Sequence, residues 1–440
     1  MSPLLFAVFV QDLGEELNKS GLGVNVMNIN ISSLFFADDV VLIAESKQKL
    51  DKLLDIVTKW NQKWGMNVSL KKSKVLTMLP GRGNWPMFDT ENNAWSEMEL
   101  VDCFKYLGVK IEIAPFRLYK TYNEQIIAVA KNYMYNILAL SKSGPDTSTV
   151  AHALWVNCAL PAILYGCETN VILESTIDSL ESIQSQVGNF ILQLPICSSS
   201  TAGLVDAGLK PVRQVIEERK VAYHCRILTM PSWWWVRIAY NEHVSMGHDS
   251  RYLRELYNIK MKRNVLNLDF KLAKEVMSLA FKSKVIMKCQ ENVKSMALMF
   301  PKVFLDKPKP WVNDGMFSKI LCRFRASDVG LGNRAPLRNG MKIKVCVLCK
   351  GMDGTCSLNN ETHLLVSCKA LKKAREECGI SSFIAYQTRV GVNKSPVTLA
   401  NSYLGGDGAD AGKLLRRSRA LYFMLKEWEK QMGVLSNSSL

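Results

Sequence analysis

The chain has 440 residues, a net charge of +16, a pI near 9.2 and 48 % apolar residues. That apolar share is too high for a disordered chain, and the length allows two or three domains with sizeable cores. The charge asks for a polyanionic partner, nucleic acid first and an anionic membrane second. Twelve scattered cysteines predict free thiols plus one metal site in a reducing compartment. No apolar run reaches the roughly 18–20 residues of a membrane span. The apolar stretch Leu4–Val10 lacks a basic leader, and Asp12, Glu15 and Glu16 follow it, so secretion is not expected.

In chain order, residues 2–20 read as one helix, with Ser2 as cap, Pro3 in the first turn and Gly21 after the end. Leu5, Phe6, Phe9, Val10, Leu13 and Leu17 would form its core face. A strand is expected within residues 22–31. Next come two apolar runs, Leu34–Phe36 and Val40–Ala44, around the adjacent carboxylates Asp38 and Asp39. Runs rich in Val, Ile and Phe favour strands, so this segment predicts a hairpin of two buried strands with acid at its tip. Asp is a common turn residue. Two adjacent carboxylates repel one another, and a divalent cation between them would remove the conflict.

Ser46 is placed to cap a helix from Lys47 to about Trp64, and Gly65 to end it. Leu50, Leu53, Leu54, Val57, Trp60 and Trp64 repeat at helical spacing as its core side. The basic segment Gly65–Val75 follows, then a polar connection over Pro80–Met98, then Cys103–Val109 as a strand with a turn glycine. From about Phe116 the pattern is helical: Tyr119–Leu140, a break at Gly144-Pro145-Asp146, a helix to Leu160, and further helices up to about Met230. Trp233-Trp234-Trp235 suits either base stacking or core packing between helices, and core packing is the expectation. Residues 250–330 are helical and basic, and Lys413–Arg419 begins a closing helix to about Gln431.

Cys346, Cys349, His363 and Cys368 form a C-x2-C-x13-H-x4-C series. Two thiolates from a C-x2-C turn and a His/Cys pair from a helix start can close a tetrahedron about Zn²⁺, a structural site with no open position. Cys356 is a possible substitute ligand. Lys342, Lys344, Lys350, Lys369, Lys372, Lys373 and Arg375 surround the series.

Phe36-Ala37-Asp38-Asp39 with Val40–Ala44 resembles the [YF]-A-D-D motif of non-LTR (LINE-type) retrotransposon reverse transcriptases. Other segments resemble the same family in the same order. Ser2–Phe6 with Val10–Leu13 is similar to S-P-L-L-F…I-N-D-L. Gly65–Val75 resembles G-L-x-x-N-x-x-K-[TS]-K, with Ser69 where Asn is usual. Phe104–Gly108 is similar to F-K-Y-L-G. Leu160–Glu168 resembles V-x-P-x-L-L-Y-G-x-E, Leu192–Pro195 resembles L-x-L-P, and the cysteine series resembles the knuckle that follows the thumb.

The resemblance implies an α+β fold: a partial polymerase palm (antiparallel sheet with helices) over 1–113, a helical thumb over 116–230, a basic helical connector over 231–335, and a zinc knuckle with C-terminal helices over 336–440. It implies two-metal nucleotidyl transfer, with the ions about 4 Å apart. Asp38 and Asp39 become Mg²⁺ ligands. Lys72 becomes the acid for the leaving pyrophosphate, or else a solvated turn lysine. Tyr106, Leu107 and Gly108 become the primer grip. RNA template and DNA primer or target become partners, in the nucleus or cytoplasm, with no membrane role. In the family the first catalytic aspartate and the fingers precede the segment where this chain starts, so low activity of this chain alone is expected. A non-catalytic RNA- or DNA-binding remnant is the alternative.

Overall fold

A computed structural model describes residues 3–27, 29–77, 86–89, 94–112, 119–140, 147–194, 200–245, 251–266, 268–291, 321–325, 349, 362–390, 399–400, 403–404 and 411–431. Two compact units are built from interleaved segments. The first takes Met1–Gln125, Gly166–Ile172 and Lys220–Met261, and the second takes Ile126–Tyr165, Leu173–Arg219 and Lys262–Leu440.

In the first unit the expected N-terminal helix is two helices, α1 (Pro3–Phe9) and α2 (Gln11–Lys19), broken at Val10, whose φ and ψ are −90° and 0°. Just past the break, the Asp12 carboxylate accepts the Leu13 amide at 2.8 Å and the Trp60 indole N–H at 2.9 Å. Only the second helix carries buried apolar side chains: Leu13 and Leu17 are buried, whereas Leu4, Leu5 and Val8 are exposed. The expected core face is therefore corrected for Leu5. The single strand expected over 22–31 is a short antiparallel pair, β1 (Val24–Val26) and β2 (Ile29–Ile31).

The dyad hairpin is β3 (Ser33–Phe36) and β4 (Asp39–Leu42). Helix α3 (Lys47–Trp64) has the expected ends. The Ser46 hydroxyl accepts the Lys49 amide at 3.3 Å, and Gly65 adopts φ +64°, a left-handed cap that glycine takes without steric cost. Leu53, Leu54, Val57 and Trp60 of α3 close on Leu13 and Leu17 of α2, with Phe35, Leu42 and Leu50 at the margin. Trp64, expected in this core, lies at its edge, 45 % exposed, with Phe9 5.4 Å away edge to face.

The remaining strands are β5 (Lys74–Val75), β6 (Pro86–Asp89), β7 (Ala94–Glu97), β8 (Glu99–Leu100), β9 (Cys103–Tyr106) and β10 (Val109–Glu112). Among the described residues each strand has one partner; β5–β8 is parallel and the other pairs are antiparallel. Small ribbons joined to helices make this an α+β fold.

Helix α4 (Lys120–Leu140) runs from the first unit into the second. There α5 (Thr147–Leu154) passes through a π-helical turn, Trp155–Ala159, into α6 (Leu160–Ile163). Then come α7 (Glu174–Ile191), α8 (Ser200–Ala207) and α9 (Val212–Thr229). Buried polar bonds lock this bundle. The Trp155 indole donates to Gln184 at 3.0 Å, and Gln184 donates to the Lys210 carbonyl at 2.8 Å. Arg263 meets Glu217 at 2.7 Å, and Arg325 clasps Asp206 with two nitrogens at 2.7 and 2.9 Å. Helices α10 (Trp235–Ser245) and α11 (Arg251–Lys262) lie mostly in the first unit. Helix α12 (Phe270–Glu291), then α13 (Lys372–Glu377), α14 (Ile380–Val390) and α15 (Ala411–Gln431), complete the second. A second core gathers Leu321, Phe324, Leu364, Leu365, Leu371, Leu414, Leu421 and Met424.

The tryptophan run is not core. Trp233, Trp234 and Trp235 are all exposed, because they occupy the turn before α10 and its first residue. No helix among the described residues is long and apolar enough to cross a membrane.

Candidate active-site hairpin and metal centre

The register of the dyad hairpin pairs Ser33 with Leu42, Leu34 with Val41, Phe35 with Val40, and Phe36 with Asp39. Two residues, Ala37 and Asp38, close it. Both carboxylates were expected in the turn, but Asp39 is the first residue of β4. A two-residue connection is a favoured closure for an antiparallel pair, and it calls for left-handed backbone at its first position. Ala37 supplies that at φ +53°, a conformation that costs a residue with a Cβ about 1–2 kcal/mol.

Side chains alternate across the ribbon, so Ser33, Phe35, Val40 and Leu42 share one face, and Leu34, Phe36, Asp39 and Val41 the other. The first face turns to the core: the Phe35 ring lies over Gly14 of α2, 3.4 Å from where a Cβ would stand. Asp38 and Asp39 are exposed, and so are Phe36 and Val40. The expectation of two buried strands is thus corrected: the ribbon is covered at its Ser33–Leu42 end and exposed at its tip, where Phe36 and Val40 stand beside the turn.

A second hairpin carries Tyr106, Leu107 and Gly108. Strands β9 and β10 join through Leu107 and Gly108, with φ +47° and +85°, so both turn positions are left-handed. Burial first, and the charge of the Asp39 carboxylate second, raise the Tyr106 phenol above its usual pKa. Gln125 of α4 holds the ribbon, donating to the Gly108 carbonyl at 3.0 Å and accepting the Lys110 amide at 3.3 Å. Gly166, at φ +81°, packs beneath it, where a Cβ would come within 3.0 Å of Val109.

Lys72 lies on a turn closed by the Ser69 carbonyl, which accepts the Lys72 and Ser73 amides at 3.0 and 2.9 Å. Its side chain is exposed and pairs with neither aspartate.

At the far end of the chain Cys349, His363 and Cys368 meet, all buried, with their ligand atoms within 4.8 Å of one another. Cys349 Sγ is 3.4 Å from His363 Nε2 and 3.7 Å from Cys368 Sγ. Zn–S near 2.3 Å and Zn–N near 2.05 Å in a tetrahedron require edges of about 3.6 and 3.8 Å, so the donor set fits zinc in kind and spacing. Cys346, the fourth expected ligand, lies outside the described residues, as does Cys356. Local backbone explains the convergence. Residues five apart on an α-helix point about 140° away from each other. Here His363–Ser367 is a π-helical turn, and the Cys368 amide bonds the His363 carbonyl at 2.7 Å.

Burial and the nearby Arg375 guanidinium hold the His363 imidazole below its usual pKa, the neutral form that a metal needs. Arg375 was read as one of the basic residues that surround the cysteine series. It is buried, with its guanidinium 3.4 Å from the Leu364 carbonyl, close enough to feel both thiols. Its place one helical turn beyond the buried Leu371 was the available signal.

The dyad offers hard oxygen donors, which match Mg²⁺ in kind. Among the described residues no third acidic, His or Cys ligand joins Asp38 and Asp39 in a cluster.

Residues 1–111 match the family model described as "Reverse transcriptase (RNA-dependent DNA polymerase)". The chain is also 29 % identical over 110 residues to a Nasonia vitripennis protein, the "Retrovirus-related Pol polyprotein from type-1 retrotransposable element R1 2". That alignment covers 22 % of this chain and 25 % of the relative, so the chain spans about a quarter of the relative's length.

Proposed function

We propose that this chain, whose residues 1–111 match the reverse transcriptase family model and which is similar over 110 residues to a retrotransposable-element Pol polyprotein, is the palm, thumb and knuckle portion of an RNA-directed DNA polymerase of a non-LTR retrotransposon. The observation that carries the reading is the hairpin that holds Asp38 and Asp39, both exposed, at its tip within the residues that match the family model.

In this reading Asp38 and Asp39 hold Mg²⁺, which supplies charge neutralisation for the attacking and leaving oxygens. Tyr106, Leu107 and Gly108 position the primer end. Lys72, exposed on its turn, is the proton donor for pyrophosphate. Cys346 completes the zinc site with Cys349, His363 and Cys368, and the basic knuckle contacts phosphate. RNA template and DNA primer are the partners, and the compartment is nuclear or cytoplasmic.

The net charge of +16 favours a second reading for this polypeptide by itself, that of a nucleic-acid binder without polymerase activity. Primer extension on an RNA template with a DNA primer and Mg²⁺, beside an Asp38→Ala/Asp39→Ala control, decides between them. Extension by the wild type alone establishes the polymerase within these 440 residues. No extension, with salt-sensitive binding kept in both proteins, establishes the binder. Absence of binding at low salt overturns both.

A further inference from the structure

The corner between α9 and α10 exposes three consecutive indoles. Trp233 is 73 % exposed, Trp234 43 % and Trp235 39 %, with Leu228 and Val236 exposed beside them. The corner is built rather than loose. The Met230 amide bonds the Ile227 carbonyl at 3.1 Å, the Trp234 amide bonds the Pro231 carbonyl at 3.1 Å, and Ile238 bonds back to Trp234 at 2.9 Å. Trp233 and Trp234 meet edge to face with centroids 5.9 Å apart. Leaving so much adjacent apolar area in water is costly, and a contiguous apolar patch of this kind marks an interaction site.

Charge selects the occupant. Residues 219–241 contain no Asp or Glu, while Arg226 and Arg237 flank the indoles and the whole chain carries +16. Arg226 is exposed. Arg237 reaches the Ile227 carbonyl at 3.4 Å and lies over the Tyr240 ring, which ties its positive charge to the same corner. The ligand must therefore be anionic and present flat apolar faces.

We infer that Trp233, Trp234 and Trp235 form a stacking platform for the bases of a single-stranded nucleic acid, with Arg226 and Arg237 drawing its phosphates. This rests on the nucleic-acid reading proposed above and adds a site outside the dyad and the knuckle. Stacking on indoles tolerates any base, so the platform would hold template or displaced strand without sequence preference.

The test measures binding of the full chain to labelled oligodeoxythymidylate at two salt concentrations. Replacing the three indoles by alanine (W233A/W234A/W235A) should weaken binding about tenfold or more and leave the salt slope unchanged, since stacking and not phosphate contact is removed. The triple phenylalanine variant should bind close to wild type. Equal binding by wild type and alanine variant overturns the inference while leaving the nucleic-acid reading intact. No binding by the wild type overturns both. Loss of binding to phosphatidylserine vesicles, with oligonucleotide binding kept, assigns the patch to a membrane and also overturns it. If circular dichroism shows the triple variant misfolded, W233A alone, at the most exposed indole, carries the same prediction.

Discussion

Lys220 is almost fully buried, yet its ammonium finds the Asn170 carbonyl at 2.6 Å, Glu255 at 3.2 Å and the Tyr252 ring at 5.6 Å. The Glu255 carboxyl is itself raised by burial, an effect that Lys220 offsets. Removing the cation leaves a buried acid without its partner, which costs more than the pair contributes. Lys220→Met should therefore lower stability by about 3 kcal/mol in urea denaturation, and adding Glu255→Gln should recover part of it. His224 shows the opposite logic. Burial, helped by Lys260 and Arg237, brings its pKa from 6.5 down to about 4. Between those values the unfolded chain binds a proton that the folded chain does not. Stability should fall as pH drops from about 6.5 towards 4, and His224→Gln should flatten that part of a thermal melting profile against pH.

At the scale of elements, the dyad hairpin balances strain against register. Ala37 holds left-handed backbone so that Phe36 and Asp39 face each other across a two-residue turn. A β-branched side chain tolerates that conformation worst. Ala37→Val should destabilise the first unit by more than about 1 kcal/mol and disturb both aspartates together, readable as lost amide protection in β3 and β4 by hydrogen exchange. The π-helical turn at His363–Ser367 is the corresponding device at the cysteine cluster, since it turns two ligands five residues apart toward one point.

For the whole molecule, the Cys349–His363–Cys368 cluster and the dyad lie in different compact units with separate cores. Structural zinc contributes its binding free energy to folding. A strong chelator should therefore expose amides in α13, α14 and α15 to exchange while α3 keeps its protection. Simultaneous loss of protection in α3 would contradict the assignment of separate cores.

How much of this was legible in the sequence depended on range. The ends of α3 could be read because Ser46 and Gly65 act on backbone groups within a few residues. The hairpin, the motif order and the spacing of Cys349, His363 and Cys368 could be read for the same reason: each is a pattern of near neighbours. Exposure could not be read so. Trp233–Trp235, Leu5 and Phe36 have the composition of core, and whether they are covered depends on which distant segment arrives. Arg375 has the composition of surface and is buried. The interleaving of Gly166–Ile172 and Lys220–Met261 with the N-terminal segment is likewise a property of packing. The sequence by itself determined the resemblance of residues 1–111, the local elements and the spacing of Cys349, His363 and Cys368, because those are patterns of near neighbours. Tertiary structure decided which residues water reaches, because burial is set by segments that the local pattern does not contain.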